Sequence, residues 1–194
     1  ATAALVVIGV AATLASVGAS ALSTFVVDST ETSGLDPGLA GLTLTFGSAI
    51  CVAARLVGGW LADRHPDRQI GVIAGLLVVG AAGVAMLAHG GRATLVVGVA
   101  LGFGLGWAWP GLQNFAVVRL HPQAPAAATS ITQTGVYAGA SLGPLTLGAV
   151  AAGSGYPTMW LVAAAAMLLA AVFMLLGARL LRAHATARPH PASV

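Results

Sequence analysis

The sequence predicts an all-α integral membrane protein with six transmembrane helices arranged as a 3+3 inverted repeat. Three observations predict this fold class: charged residues make up 7% of the chain, hydrophobic residues make up 58%, and polar residues recur with a period of three apolar stretches. A soluble domain averages about a quarter charged residues. Eight basic and five acidic residues cannot cover a globule of 194 residues, so soluble enzymes and soluble scaffolds are excluded.

Six stretches are apolar and long enough to cross a hydrocarbon core about 30 Å thick, which takes about 20 helical residues. The predicted spans, called a to f in chain order, are 3–27, 39–62, 70–88, 93–118, 126–152 and 158–181. The turn between e and f is expected at Gly153 to Pro157. Residues 1–182 then form one six-helix domain, and 183–194 form a disordered cytoplasmic tail. Because the chain begins with Ala1 and not with Met, we expect a piece of a longer protein.

The arginines predict the orientation, because basic residues of short loops stay on the cytoplasmic side. Arg92 falls on one side of the membrane, whereas the other side receives Arg64, Arg68, Arg119, Arg179, Arg182 and Arg188. We therefore expect a multi-pass protein of the cytoplasmic (inner) membrane with both ends of this segment in the cytoplasm. The arginines stand singly at the ends of apolar runs, so the pI near 10 does not indicate a nucleic-acid partner.

The polar residues of the spans repeat with a period of three. Spans c and f are almost purely apolar, whereas a, b, d and e carry hydroxyl, amide or charged side chains. Wholly apolar spans can face lipid, so we expect c and f at the periphery and the other four in the interior. Because each repeat has an odd number of spans, the two copies lie in opposite membrane orientations.

The loop after span b carries a recognisable motif in Gly59, Asp63, Arg64 and Arg68, with Pro66 at the position of a second glycine. This pattern resembles the signature loop of the major facilitator superfamily. The simpler alternative is an ordinary basic loop after a span. The resemblance extends over all six spans and implies one six-helix half of such a transporter. The basic tail favours the C-terminal half, helices 7 to 12, and the N-terminal half is the alternative.

The resemblance implies secondary active transport of a small solute by alternating access. It also implies that the signature loop latches the cytoplasmic side, that the partner of Asp63 lies in the six-helix half absent from this chain, and that the chain is not an enzyme. The alternative from another class is a self-contained six-helix protein that acts as a homodimer or as a non-transporting scaffold. Spans b and e distinguish the half-transporter from the self-contained protein, because a self-contained bundle should not turn their polar, glycine-rich faces toward lipid.

Polar residues near midspan are the candidate lining of a substrate cavity: Ser16, Ser20, Arg55, Trp107, Gln113, Asn114, Gln133 and Tyr137. Arg55 lies about 12 Å deeper along its helix than Asp63. It either faces the substrate path, reaches back to the membrane interface, or braces neighbouring helix ends. The hydroxyl and amide groups either contact a solute or bond neighbouring helices.

Two glycine series, in spans d and e, predict close helix packing: Gly98, Gly102 and Gly106, and Gly135, Gly139 and Gly143. The spans contain no carboxylate that could carry a proton. The five histidines lie in loops or the tail without metal-ligand spacing, and there is no phosphate-binding glycine loop. We therefore expect no catalytic residues, no metal and no cofactor.

Overall fold

The computed structural model describes residues 2–64 and 69–186, and these ranges are helical apart from short turns. The α-helices are α1 (Thr2–Thr32), α2 (Pro37–Arg64), α3 (Gln69–Met86), α4 (Arg92–Gly104), α5 (Trp109–Leu120) and α6 (Pro125–Thr186). Five stretches are long and apolar enough to cross a membrane: Ala3–Thr32, Pro37–Trp60, Gln69–His89, Arg92–Leu120 and Pro125–Ala183. The described part of the chain is therefore an all-helical membrane protein.

A tight turn joins α1 to α2. Gly34 has a φ of 90°, and the following Leu35 donates its backbone N–H to the carbonyl of Thr30 at 3.1 Å. This bond satisfies a carbonyl at the end of α1 that would otherwise have no helical partner. Asp36 then caps α2, because its Oδ1 accepts the N–H of Gly38 at 2.9 Å, and Pro37 starts the helix with a suitable φ.

The stretch predicted as span d consists of two helices. α4 ends where the N–H groups of Leu105 and Gly106 both bond the carbonyl of Leu101, at 2.9 and 3.2 Å. The chain passes through a turn at 105–108, and α5 resumes with Pro110 in its first turn. Proline is tolerated there because its missing N–H would have no partner in any case. Four residues at midspan, 105–108, therefore lie outside regular helix.

α6 is far longer than one membrane crossing, since 62 helical residues extend about 90 Å. It is broken at Gly155, whose φ of 81° and ψ of 165° are not helical. We call residues 125–154 the first limb and 156–186 the second limb. The break lies within the turn expected between e and f, while the backbone at Pro144 stays helical. The helix continues past residue 182 into the segment expected to be a tail, and 187–194 lie outside the described residues.

The first limb runs parallel to α1. Gly135 packs on the backbone of Gly9, and Gly139, one turn later, packs on the backbone of Thr13. Further along both helices, Gly148 faces the ring of Phe25, where an added Cβ would be 3.4 Å from Cζ. The predicted glycine series of span e is thus a packing surface for α1.

The second limb runs antiparallel to α1. Gly18 of α1 faces Met167, and nearer the start of α1, Ile8 faces Gly177, where an added Cβ would be 2.6 Å from Cγ1. The two limbs of α6 therefore enclose α1 and run in opposite directions along it.

α4 has the same two kinds of neighbour. It runs parallel to α2, since Gly47 faces Phe103 and Ile50 faces Gly104. It runs antiparallel to α3, because Gly83 faces Leu101, and Gly80 lies against Gly106 just beyond the end of α4. A parallel and an antiparallel neighbour thus accompany both α1 and α4.

The loops gather at two ends of the bundle. At one end a cavity of about 830 Å³ is lined by Gln69, Arg119 and Arg182. At the other end a cavity of about 420 Å³ is lined by residues that include Arg92 and Tyr156. Between the ends, the core is built from the aromatic and sulfur-containing side chains of Trp109, Met159, Trp160, Met167 and Met174. The outer faces of α3 and the second limb expose valine and leucine, as a lipid-facing surface requires.

Candidate functional site

α2 is almost uncovered in the described structure. Among its described side chains, only Ala40 and Gly47 are buried. Leu56 is 72% exposed, and the polar Thr45 and Arg55 are also exposed. A helix of this kind combines an apolar surface with polar groups and a charge at membrane depth.

The first limb is covered on one side only. Its glycine series packs on α1, while Tyr137 is 67% and Leu145 is 71% exposed on other sides of the helix. Ser130, Thr134 and Ser141 are exposed as well. We call the exposed residues of α2 and of the first limb the open surfaces.

Arg55 and Trp107 meet where span d is broken. The Arg55 guanidinium donates through Nε to the carbonyl oxygen of Trp107 at 3.3 Å, and its Cζ lies 5.8 Å from the Trp107 ring centroid. Trp107 lies in the turn at 105–108, between α4 and α5. The structure thus brings two of the candidate residues together, with Arg55 bracing the break.

The signature residues lie at the end of α2 and just beyond it. A Cβ added to Gly59 would meet no described atom within 4 Å, so no described helix uses the space that this glycine leaves. The Arg64 guanidinium carbon lies 3.7 Å from the ring centroid of Trp60. Arg68 and the side chain of Asp63 lie outside the described residues.

Ser16 and Ser20 lie inside the contact between α1 and the first limb. Both serines are buried, and Gly139 and Gly143 pack against them. The Ser20 hydroxyl donates to the carbonyl of Val17 at 3.0 Å, whereas the Ser16 Oγ has no hydrogen-bond partner among the described atoms. In this conformation neither serine lines an open cavity.

The remaining candidate residues differ in exposure. Gln113 is 2% exposed, and both polar atoms of its amide lack a partner in the described structure. Asn114 and Gln133 are half-buried. Trp109, which was not among the candidate residues, is fully buried, and its Nε1 is also without a described partner. In the sequence, Trp109 is marked by its position after the glycine series of span d and directly before Pro110.

The hydroxyl groups of the spans bond mainly their own helices. Thr13 donates to the carbonyl of Gly9 at 3.0 Å, Ser130 to Ala126 at 2.9 Å, and Thr134 to Ser130 at 2.8 Å. Such bonds satisfy the hydroxyl proton at membrane depth and leave oxygen lone pairs available. Among the residues described, no group of three His, Cys, Asp or Glu side chains could hold a metal ion.

Comparison with known proteins identifies the family to which this architecture corresponds. A family model described as Major Facilitator Superfamily matches residues 8–193, which is nearly the whole chain. No curated protein matches the sequence.

Proposed function

The chain belongs to the Major Facilitator Superfamily, a family of secondary transporters and not of enzymes, and from this membership we propose a specific role. It forms one six-helix half of a secondary active transporter that moves a small solute across the cytoplasmic membrane by alternating access. The resemblance to the C-terminal half, helices 7 to 12, extends this proposal to the position of the chain in the transporter.

The directions of the helices support six crossings in a 3+3 inverted repeat. The break at Gly155 divides α6 into limbs of opposite direction, and the break at 105–108 leaves α4 and α5 within one crossing. α1 pairs with the first and second limbs as α4 pairs with α2 and α3. This exchange of partners is expected when two three-helix units are related by an axis in the membrane plane.

The exposure of α2 is the main observation that supports the presence of a second six-helix half. A helix with a charged residue and several polar residues is costly to leave in lipid. A self-contained bundle would have covered it, whereas one half of a transporter leaves it free to meet the other half. The residues that would meet the second half are the open surfaces, and the cavity for the solute would lie between the halves.

The arginines support the orientation. Arg119 and Arg182 line the same end cavity, which we assign to the cytoplasmic side together with both ends of the segment. The signature residues Gly59, Asp63, Arg64 and Arg68 would then latch the cytoplasmic side when the halves rock against each other. Lipid surrounds the exposed faces of α3 and the second limb.

Spin labels, whose accessibility to dissolved oxygen can be measured, test whether a second half covers the open surfaces. In a Cys51→Ser background, single cysteines replace Leu56 and Leu145 on the open surfaces, and Val78 and Leu161 on the lipid-facing helices as matched controls. In native membranes we expect dissolved oxygen to relax the labels at 78 and 161 strongly and those at 56 and 145 weakly. Equal oxygen relaxation at all four positions would contradict the proposal.

The coding sequence on either side of the chain gives a second test. Six further predicted spans in the same reading frame, with uptake of a solute by vesicles carrying the whole protein, would support the half-transporter. A start codon directly before Ala1 and a stop codon directly after Val194 would contradict it.

A further inference from the structure

We propose that Arg55 is the binding site for a small anion with a planar oxo group, such as a carboxylate, within the membrane-spanning part of the protein. This inference rests on the proposed function and deepens it, because it assigns the transported solute to the anions. Three observations carry it: the depth of the guanidinium, the absence of a described counter-ion beside it, and the donors that its hydrogen bond leaves unused.

The depth follows from the partner of Arg55. Trp107, whose carbonyl accepts the bond from Arg55 Nε, lies in the stretch Arg92–Leu120, 15 residues from its start and 13 from its end. The 3.3 Å bond therefore holds the guanidinium against the middle of this crossing, although Arg55 itself lies five residues before the end of its own crossing, Pro37–Trp60. An arginine at this depth is expensive in lipid, so it is expected to face a water-filled cavity and to pair with a negative group.

The described structure places no such group beside Arg55. The five acidic residues of the chain are Asp28, Glu31, Asp36, Asp63 and Asp67; Asp28 and Glu31 lie near the end of the crossing Ala3–Thr32, and the other three lie outside the five crossings. Within the described ranges no carboxylate is paired with Arg55, and its one hydrogen bond goes to an uncharged carbonyl. The positive charge of this site is therefore not neutralised by the described structure.

The hydrogen bond also orients the guanidinium. The bond to Trp107 uses the Nε–H, and the described atoms leave the four N–H groups of the two terminal nitrogens unused. Two parallel N–H groups match the two oxygens of a carboxylate or another planar oxyanion. The Trp107 ring, 5.8 Å from Cζ, provides a flat wall beside the site. Arg55 is exposed on the open surface of α2, so a solute between the two halves can reach it.

Cys51 is a natural reporter for this site. It is the single cysteine of the chain, it is half-buried, and it precedes Arg55 by four residues on the same helix. Residues four apart share a helix face. An anion bound to Arg55 should therefore hinder alkylation of the Cys51 thiol.

The test measures the rate of Cys51 alkylation by N-ethylmaleimide in membranes that carry the whole protein, with the Cys51 peptide quantified by mass spectrometry. The probes are formate and acetate, and their uncharged isosteres formamide and acetamide are the controls. We expect the anions to slow alkylation about tenfold at ten times their dissociation constant, and the amides to leave the rate unchanged. Arg55→Gln should abolish the protection, Arg55→Lys should weaken it, and Arg92→Gln, an equal loss of charge elsewhere, should preserve it.

Equal effects of formate and formamide, or full protection in Arg55→Gln, would overturn the anion site. The first result is also expected if a carboxylate of the other half neutralises Arg55. The spin labels at 56 and 145 test the half-transporter independently of the anion site. If these labels are shielded from oxygen while the anions give no protection, the half-transporter stands and the anion site fails. If the labels are exposed to lipid, the proposed function itself fails.

Discussion

Gly135 lies so close to the carbonyl oxygen of Gly9 that a methyl group at position 135 would overlap it. The same relationship recurs one turn later between Gly139 and Thr13. Helix association in lipid depends on close van der Waals packing, since lipid tails are as apolar as leucine. These two contacts therefore contribute directly to the pairing of α1 with the first limb.

Gly135→Ala is expected to destabilise the protein by about 1–3 kcal/mol, because the added Cβ meets a backbone atom that cannot rotate away. Gly75→Ala on α3 is the matched control, since a Cβ there meets no described atom within 4 Å. Thermal unfolding of the purified chain in detergent measures both variants. Equal melting temperatures for the two variants would show that the two helices can separate without cost.

Met167→Ala is expected to cost about 2–4 kcal/mol, because it leaves a cavity among three packed segments. The Met167 side chain faces Gly18, and its Cε would lie 3.1 Å from a Cβ at Gly80 and 2.9 Å from one at Gly106. Met167→Leu nearly conserves the volume and should cost less than about 1.5 kcal/mol. Leu168→Ala, at a half-exposed neighbouring position, is the control in the same unfolding experiment. A larger loss in Leu168→Ala would contradict this account of the core.

Gln113→Met is expected to stabilise the protein by about 1–2 kcal/mol, because it removes a buried amide without described partners and keeps a similar side-chain length. Asn114→Leu, which changes a half-buried amide, should have a smaller effect. Denaturant titration of the two variants measures the difference. A marked loss of stability in Gln113→Met would show that the amide has a bonding partner in the membrane.

Tyr156→Phe is expected to lower the free energy of unfolding by about 0.5–1.5 kcal/mol, because the Tyr156 hydroxyl donates a hydrogen bond to the Asp28 carboxylate. This bond ties the break in α6 to α1, and the Tyr156 ring also lies 6.4 Å from the ring of Phe25. Asp28→Asn tests the same bond from the other side. In a double-mutant cycle the combined variant should lose less than the sum of the single losses, and additive losses would show that the bond is not formed.

Much of the fold could be predicted from the sequence because the length of an apolar stretch is fixed by the membrane. α1, α2 and α3 begin at residues 2, 37 and 69, next to the expected starts at 3, 39 and 70. The family prediction, made from Gly59, Asp63, Arg64 and Arg68, is confirmed by the match over residues 8–193. Apolar length and charge position are local properties, so the sequence displays them directly.

The candidate site was less predictable, because helical periodicity defines a face of a helix but not the neighbour of that face. Ser16 and Ser20 share a polar side of α1, yet the glycines of the first limb cover them. Arg55 and Trp107 are 52 residues apart, and no local spacing indicates that they meet. The glycine series of span e did predict close packing, but only the structure identifies α1 as its partner.

The parallel contact between positions 9 and 135 also constrains how the protein is made. α1 enters the membrane well before the helix on which it packs has been synthesised. Position 135 follows position 9 by 126 residues, so at roughly 5–20 residues per second it is added roughly 6–25 s later. During this interval the buried serines of α1 have no first limb to cover them. The nascent chain is therefore open to membrane proteases and chaperones throughout this interval, and variants that weaken the glycine contacts should lower its yield before they affect its activity.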